Sequence, residues 1–240
     1  MYRTLRVLIC ICLLASAAVL FAQDAAKLTP PVNVPIKVAF VLGDGATMID
    51  FTGPWEVFQD VMTSGDNNKP IHSHHEMMDD PNLNQPFQLY TIAISKAPVQ
   101  VTGGMKIVPD YTFADAPKPN VIVIPAQHSA PEAIAWVKKT APQTDVTMSV
   151  CTGAFLLART GLLDGEKATT HHWFQDDFEK EFRNVKLQRG VRYVENGKVS
   201  TSAGLTSGID MALRVVERYY GHDVAVATAE YMEYKSDLWK

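Results

Sequence analysis

The chain has 240 residues, of which 47% are hydrophobic and 20% charged, a composition that excludes intrinsic disorder and predicts one globular domain. Its formal net charge is −4 at pH 7. No block of lysine or arginine is long enough to follow a phosphate backbone, so nucleic acid is not expected as a partner.

The first 22 residues have the pattern of a secretory signal peptide. Two arginines precede an apolar run from Val7 to Ala22, which is shorter than the ~20 residues of a membrane-spanning helix. We expect cleavage after Ala22 and a secreted or periplasmic protein with no membrane attachment; an uncleaved N-terminal anchor is the alternative. Cys10 and Cys12 lie in this segment, so Cys151 would be the only cysteine of the mature protein.

Residues 23–35 contain three prolines and little periodicity, which predicts a linker, so the folded domain is expected to cover residues 36–240. From there, short β-branched runs alternate with longer amphipathic ones. The runs that predict buried strands are Ile36–Leu42, Gln88–Ile94, Val121–Ile124 and Val146–Val150. Those with helical spacing are Pro54–Met62, Ala130–Lys139, Gly153–Arg159, Trp173–Phe182 and Leu205–Tyr220.

Strands separated by helix-length segments predict an α/β fold, in which right-handed crossovers join parallel strands and helices cover both faces of the sheet. Asn196-Gly197, between Arg192–Val194 and Lys198–Thr201, predicts a small β-hairpin. The polar segment Thr63–Pro86 interrupts the alternation and is expected to be a long surface loop or lid. Binding sites in such folds lie at the carboxyl ends of the strands.

The strongest chemical signal lies at Cys151, where a buried strand ends and a helix opens at Gly153. A sharp turn of this kind lifts a side chain out of the sheet, and helix N–H groups that point at a sulfur lower the pKa of its thiol. The pattern therefore predicts a nucleophile elbow with a reactive Cys151 thiolate. A buried structural cysteine is the alternative.

A second candidate is Asp50, which lies in an apolar setting after the first strand and before the helix start that Thr52-Gly53-Pro54 indicates. Taken alone, an acidic residue at this place is more often a helix cap or a partner of the helix dipole. Glu56 is the weaker acid candidate.

Four segments resemble the signature blocks of the ThiJ/PfpI superfamily of class I glutamine amidotransferase-like proteins. They are Ile49–Phe58, Ser149–Ala154, Gly161–His171 and Ala203–Leu213, in the family's order. They are most similar to the branch that contains isonitrile hydratases and the sensor domains of AraC-type regulators. The resemblance implies a flavodoxin-like three-layer sandwich, usually dimeric, with a carboxylate from the first βα loop beside the cysteine nucleophile. By position, these two residues are Asp50 and Cys151.

Two positions depart from the family pattern. Thr152 follows the nucleophile where protease-type members have histidine, which argues against a peptidase and favours a hydratase, whose threonine hydroxyl can hold a water or the substrate. Ala126, Gln127 and His128 replace the usual Gly-Gly loop, so the size of the pocket and its oxyanion donor stay open.

A third departure is the insertion Thr63–Pro86, whose histidines and acidic residues could bind zinc or copper, although their spacing favours a solvated lid without metal. Two further residues are expected at the substrate site. Gly53 lies in the first block, and His171 ends the third block. For His171, a histidine hydrogen-bonded at a strand-to-helix junction is the alternative.

These residues predict a small-molecule hydratase or related lyase that resembles isonitrile hydratase. The Cys151 thiolate would attack an electrophilic carbon, protonated Asp50 would deliver a proton, and a water near Thr152 would complete the addition, without metal or organic cofactor. A glyoxalase- or deglycase-like enzyme acting on reactive carbonyls would use the same residues.

A non-catalytic periplasmic protein is the third hypothesis. It would bind a ligand or sense oxidants, with Cys151 oxidised to sulfinate. Only Lys235–Lys240 follow Tyr234, so no helix-turn-helix domain is expected and an AraC-type regulator is disfavoured.

Overall fold

The computed structural model describes residues 26–65 and 68–239. The predicted signal peptide, residues 1–22, and its two cysteines lie outside the described residues. Among the residues that are described, no helix is long and apolar enough to cross a membrane.

Seven strands of the described chain form the central sheet. They are β1 (Ile36–Val41), β2 (Phe87–Ala93), β3 (Tyr111–Thr112), β4 (Val121–Ile124), β5 (Val146–Ser149), β6 (Tyr193–Asn196) and β7 (Val199–Ser202). Their order across the sheet is β6-β7-β5-β4-β1-β2-β3. All neighbours pair in parallel except the β6–β7 hairpin at one edge. The predicted α/β fold, with a small hairpin, is confirmed.

The described ranges contain seven α-helices, six of which pack on the sheet while α2 lies in the insertion. They are α1 (Met48–Gln59), α2 (His74–Asp79), α3 (Pro131–Thr140), α4 (Gly153–Arg159), α5 (Gln175–Glu181), α6 (Ser207–Tyr220) and α7 (His222–Tyr231). Alternating side chains of β1 enter two cores. Val38 and Phe40 pack in the core of α1, α6 and α7, whereas Ala39 and Val41 pack in the core of α3, α4 and α5. The sheet is therefore covered on both faces, as its β-branched strands require.

The first helix begins at Met48 and not at Pro54, so the predicted start is wrong. Proline is common in the first turn of a helix, which is why Pro54 indicated the start there. In the structure the first N–H of the helix is satisfied by a residue distant in sequence, since the Met48 N–H donates to the Thr102 hydroxyl at 2.9 Å. Asp50 consequently lies in the first turn of α1 and not in the preceding loop.

The insertion Thr63–Pro86 contains short strands and a helix, where the sequence predicted a long surface loop or lid. Its three short strands are Thr63–Ser64, Lys69–Pro70 and Leu83–Asn84, and α2 lies between the last two. Ser73 caps α2 by accepting from the Glu76 N–H at 3.2 Å, and the Glu76 carboxylate accepts from the His72 N–H at 2.7 Å. This arrangement is close to a capping box, a sequence pattern that would have indicated the helix.

The remaining short elements connect the main ones. Two further strand pairs are Val99–Gln100 with Lys106–Ile107 and Lys167–Ala168 with Lys186–Leu187. Turns of 3₁₀-helix cover Thr102–Gly104, Ala141–Gln143 and His172–Phe174, the last of which overlaps the start of the predicted helix Trp173–Phe182.

The described part of the predicted linker contacts the domain. The Leu28 N–H donates to the Arg218 carbonyl at 2.7 Å, and Arg218 Nε donates to the Ala26 carbonyl at 3.1 Å. Arg218 is buried in α6, so these residues are attached to that helix before β1 begins.

Candidate active site

Cys151 occupies a strained turn between β5 and α4. Its φ angle is 57°, in the left-handed region, which costs a non-glycine residue about 1–2 kcal/mol. The Cys151 N–H donates to the Ala203 carbonyl at 2.9 Å, and the Thr170 hydroxyl donates to the Cys151 carbonyl at 2.9 Å. These two bonds hold the turn in the shape of a nucleophile elbow.

Gly153 allows α4 to lie against the end of β4. A Cβ atom at this position would lie 2.2 Å from the Ile124 carbonyl oxygen and 2.8 Å from that of Pro125. Both atoms belong to the backbone and cannot rotate away. The absence of a side chain therefore fixes the distance between the elbow and β4.

We expect Gly153→Ala to destabilise the fold by about 3 kcal/mol, because the new methyl group must push two backbone segments apart. Urea denaturation followed by circular dichroism measures this loss. Gly53→Ala is the matched control, since its Cβ would meet the Ile209 side chain at 2.9 Å, and a side chain can adjust. Equal losses in the two variants would contradict the proposed role of the Gly153 contact.

Asp50 is fully buried beside Cys151. Its Oδ2 accepts a hydrogen bond from the Ala126 N–H at 3.1 Å, and the carboxyl group also interacts with the Cys151 thiol and the Leu205 N–H. Its Oδ1 forms no hydrogen bond of standard geometry within the described chain. Burial raises the pKa of Asp50 from 3.8 to about 7, against the opposing effect of those three contacts. A carboxyl group with this pKa can gain and lose a proton near neutral pH.

The predicted low pKa of the thiol is wrong for the resting site. Cys151 is 7% exposed, and burial followed by the charge of Asp50 raises its pKa from 9.0 to about 12. The N–H groups of Thr152 and Leu205 act in the opposite direction but do not outweigh burial. Because two adjacent buried groups cannot both be charged at low cost, thiol and carboxyl titrate as a pair.

Leu205 is a site residue that the sequence did not indicate as one. It lies between β7 and α6 with a φ angle of 54°, a conformation that costs a bulky residue about 1–3 kcal/mol. Its N–H contacts both Cys151 and Asp50, while its side chain is 43% exposed. The only sequence clue to Leu205 was its position in the family block Ala203–Leu213. Leu205 contributes its backbone N–H, and a backbone group cannot be recognised from the residue type.

The predicted residue His171 lies between this turn and solvent. A Cβ atom on Gly204 would lie 2.3 Å from the His171 ring, which places the ring over the residue before Leu205. His171 Nδ1 also accepts the Trp173 N–H at 3.2 Å, and its ring stacks on His172 with centroids 4.6 Å apart. Burial and the neighbouring His172 lower its pKa, so the ring is neutral at pH 7. His171 thus has the junction role and also lies beside the site.

The other predicted binding residues separate into two groups. Ala126 lies at the Cys151–Asp50 pair, because its N–H donates to Asp50. That N–H is consequently not free to bind a substrate anion. Gln127 donates to the Val41 carbonyl at 2.9 Å, and His128 Nδ1 lies 3.0 Å from the Asp44 carbonyl oxygen. These two side chains line a neighbouring cavity of about 300 Å³ together with Leu42, Gly43, Ile94 and Phe113.

Two predicted residues lie on α1 and at the start of α4. Gly53 faces Ile209 on α6, so its role in the structure is helix packing. Thr152 is half-buried, and its hydroxyl has no hydrogen-bond partner among the residues that the structure describes. This hydroxyl, on the residue after Cys151, is available to a water or a substrate.

The histidines of the insertion do not gather into a metal site. The rings of His74 and His75 have centroids 6.2 Å apart. Across residues 26–65 and 68–239, no three histidine, cysteine, aspartate or glutamate side chains are placed to hold a metal ion together.

The fold and this pair define a class of protein, the doubly wound α/β domain with a cysteine elbow and a buried acid beside it. Residues 36–218 match the sequence profile of the DJ-1/PfpI family. The chain belongs to this family, which confirms the resemblance seen in the four sequence blocks.

Known relatives include an enzyme and regulators. Isonitrile hydratase from Pseudomonas putida is 26% identical over 205 residues, which cover 83% of this chain and 78% of that protein. The HTH-type transcriptional regulator GbdR from Pseudomonas aeruginosa is 24% identical over 212 residues, which cover 86% of this chain but 53% of the regulator. The chain thus spans about half the length of that regulator.

Solved structures agree on the fold. A THiJ/PfpI family protein from Pseudomonas syringae has a TM-score of 0.67 and 26% identity, with 85% of this chain and 76% of that chain covered. Drosophila melanogaster DJ-1beta has a TM-score of 0.66 at 15% identity, with 85% and 100% covered. The second likeness supports the architecture alone.

Proposed function

We propose that this protein is a hydratase that converts isonitriles to N-substituted formamides with its own side chains. The observation that carries the proposal is the contact between the buried Asp50 carboxyl, whose pKa of about 7 suits proton transfer, and the Cys151 thiol. The similarity to isonitrile hydratase over most of both chains supports this substrate class.

In the first half of the reaction, sulfur adds to the terminal carbon of the isonitrile. The Asp50 carboxylate takes the thiol proton as the sulfur–carbon bond forms, and this removes the need for a thiolate in the resting enzyme. Asp50 then gives that proton to the same carbon. The product of this half is a thioimidate, R–N=CH–S, attached to Cys151.

In the second half, water adds to the thioimidate carbon. The hydroxyl group of the water bonds to carbon, and its other proton goes to nitrogen through Asp50. The hydroxyl proton then passes to sulfur as the carbon–sulfur bond breaks, which releases R–NH–CHO and restores the thiol. The Thr152 hydroxyl would hold the water, and the N–H groups of Thr152 and Leu205 would stabilise charge on sulfur during both halves.

We also propose that the mature protein acts outside the cytoplasm as a homodimer. The support is the signal-peptide pattern of residues 1–22 and the usual dimeric state that the family resemblance implies. A non-catalytic ligand sensor is the competing function, and the similarity to the regulator GbdR is the observation that favours it.

An assay of the purified protein with cyclohexyl isonitrile and, separately, with methylglyoxal tests the reaction class. We expect N-cyclohexylformamide to accumulate over many turnovers, as measured by chromatography. Lactate from methylglyoxal without any formamide would replace the hydratase by a carbonyl-directed enzyme. Saturable binding of either compound without product would instead support the sensor.

A further inference from the structure

The turn Ala203–Thr206 lies against the Cys151–Asp50 pair, since its Ala203 carbonyl accepts the Cys151 N–H at 2.9 Å and its Leu205 N–H interacts with both groups. Leu205 holds this position in a left-handed conformation that leucine rarely adopts, and such a conformation persists only where neighbouring groups enforce it. Its own side chain is close to half exposed and packs too little to enforce it. Part of the restraint comes from the first turn of α6, where the Gly208 N–H donates to the Leu205 carbonyl at 3.1 Å. The rest must come from groups that bind the turn on either side of Leu205.

Arg192, just before β6, binds the turn on both sides of the strained residue. The Arg192 carbonyl accepts the Ala203 N–H at 2.8 Å. Its guanidinium group donates to the Thr206 hydroxyl from both terminal nitrogens, each at 3.3 Å. One arginine thus contacts the residue two places before Leu205 and the residue directly after it.

The guanidinium group is itself held by a buried carboxylate. Arg192 Nε donates to Asp210 Oδ2 at 2.6 Å, and one of its terminal nitrogens also contacts this oxygen. Asp210 is fully buried in the first turn of α6, and its Oδ1 accepts from the hydroxyls of Tyr234 at 3.1 Å and Ser236 at 3.0 Å. With both oxygens of Asp210 engaged, the arginine has a fixed position relative to α6.

The opposite side of the turn is fixed by the elbow. The Ala203 carbonyl accepts the Cys151 N–H at 2.9 Å, and His171 covers Gly204 so closely that no side chain fits there. The turn is therefore enclosed between the elbow and Arg192, and the Arg192 guanidinium group supplies a side-chain contact to it at Thr206.

We propose that Arg192 is a positioning residue of the active site, which holds the Ala203–Thr206 turn in the left-handed shape that presents the Leu205 N–H to Cys151 and Asp50. It acts through the turn and touches neither the sulfur nor a substrate. This role does not depend on which electrophile the enzyme uses.

The rate at which iodoacetamide alkylates Cys151, followed by peptide mass spectrometry between pH 6 and 10, tests the proposal. Arg192→Met keeps much of the side-chain length but has no charge and no donor. We expect alkylation to slow about tenfold at pH 8, with its pH profile displaced upward, because sulfur loses one N–H contact. Arg189→Met is the matched control. Arg189 lies three residues before Arg192 and is also ion-paired, but with Asp176 and Glu179.

A second substitution separates positioning from a loss of stability. Glycine adopts a positive φ angle without strain, so Leu205→Gly keeps the N–H and removes the need for enforcement. In the double variant Arg192→Met with Leu205→Gly we expect most of the alkylation rate to return. A folded Arg192→Met protein that reacts like the Arg189→Met control would overturn the proposal, as would a slow double variant that shows no recovery.

If Arg192→Met does not fold, Arg192→Lys decides the matter. Lysine keeps the charge but presents a single ammonium group, which cannot bridge Asp210 and Thr206 in the geometry of the guanidinium plane. If Arg192→Lys slows alkylation and the addition of Leu205→Gly restores the rate, the positioning role is supported. A rate equal to that of the unchanged protein contradicts it.

Discussion

Cys151→Ala is expected to abolish isonitrile hydration, with a loss in kcat/KM on the order of 10⁴ or more, because the sulfur forms and breaks the covalent bond of the proposed reaction. Alanine has the same difficulty as cysteine at the φ angle of 57°, so the elbow gains no new strain. The side chain is small, and its removal leaves only a small cavity. The loss of activity is therefore expected with little loss of stability.

Product formation and thermal unfolding are measured on the same preparation of the Cys151→Ala variant. Cys151→Ser provides a second test, since serine keeps the size and a hydroxyl but is a far weaker nucleophile at neutral pH. Turnover by either folded variant within a factor of about ten of the unchanged protein would exclude covalent catalysis by sulfur. A variant that unfolds at much lower temperature would show that Cys151 is first of all a packing residue.

Asp50→Asn is expected to lower kcat/KM by about 10²–10⁴, because the amide cannot carry the proton from sulfur to carbon. The amide oxygen can still accept the Ala126 N–H, so the local hydrogen bond is retained. The pH profile gives the sharper test. Below pH 7 the pair holds both protons and is inactive, so kcat/KM of the unchanged protein should rise with pH through the Asp50 pKa of about 7. In the variant this rise should be absent.

Asp50→Asn, which should lower activity, is expected to stabilise the folded protein at neutral and higher pH. Since burial raises the pKa of Asp50 from 3.8 in the unfolded chain to about 7 in the folded protein, the folded state binds this proton more tightly. The contribution of this proton to the free energy of unfolding is then fully present below pH 3.8 and is lost as the pH rises to about 7. The melting temperature of Asp50→Asn relative to the unchanged protein should accordingly increase from pH 5 to pH 8. A difference that does not vary with pH would show that Asp50 is not buried with a raised pKa.

The sequence predicted the core of the fold because its strands and helices differ clearly in period. Val121–Ile124 and Gly153–Arg159 agree with the structure residue for residue, since each is a continuous run bounded by turn residues. The helix His222–Tyr231 was missed because its alanine-rich residues form no distinct apolar stripe. The strands of the insertion have two residues each, which is too short for any period to show.

The candidate site was predicted in its side chains but not in its electrostatics. Cys151 and Asp50 are in contact, as the family resemblance implied. The direction of the thiol pKa was wrong because it depends on how deeply both groups are buried, and this is a property of packing that a local pattern does not contain. Leu205 was missed for a related reason, since its contribution is a backbone N–H in a left-handed turn, and the contacts of that turn with Arg192 and the elbow are tertiary.

The hydrogen bond between the Cys151 N–H and the Ala203 carbonyl ties together two turns that follow adjacent parallel strands. Neither turn can swing outward alone without breaking this bond and relaxing a left-handed residue. In the proposed reaction, substrate would therefore enter and product would leave by rotation of side chains, with both turns in place. The exposed Leu205 side chain and the His171 ring over Gly204, which stacks on His172, lie beside these turns, so their rotamers would control the entry and release of small molecules.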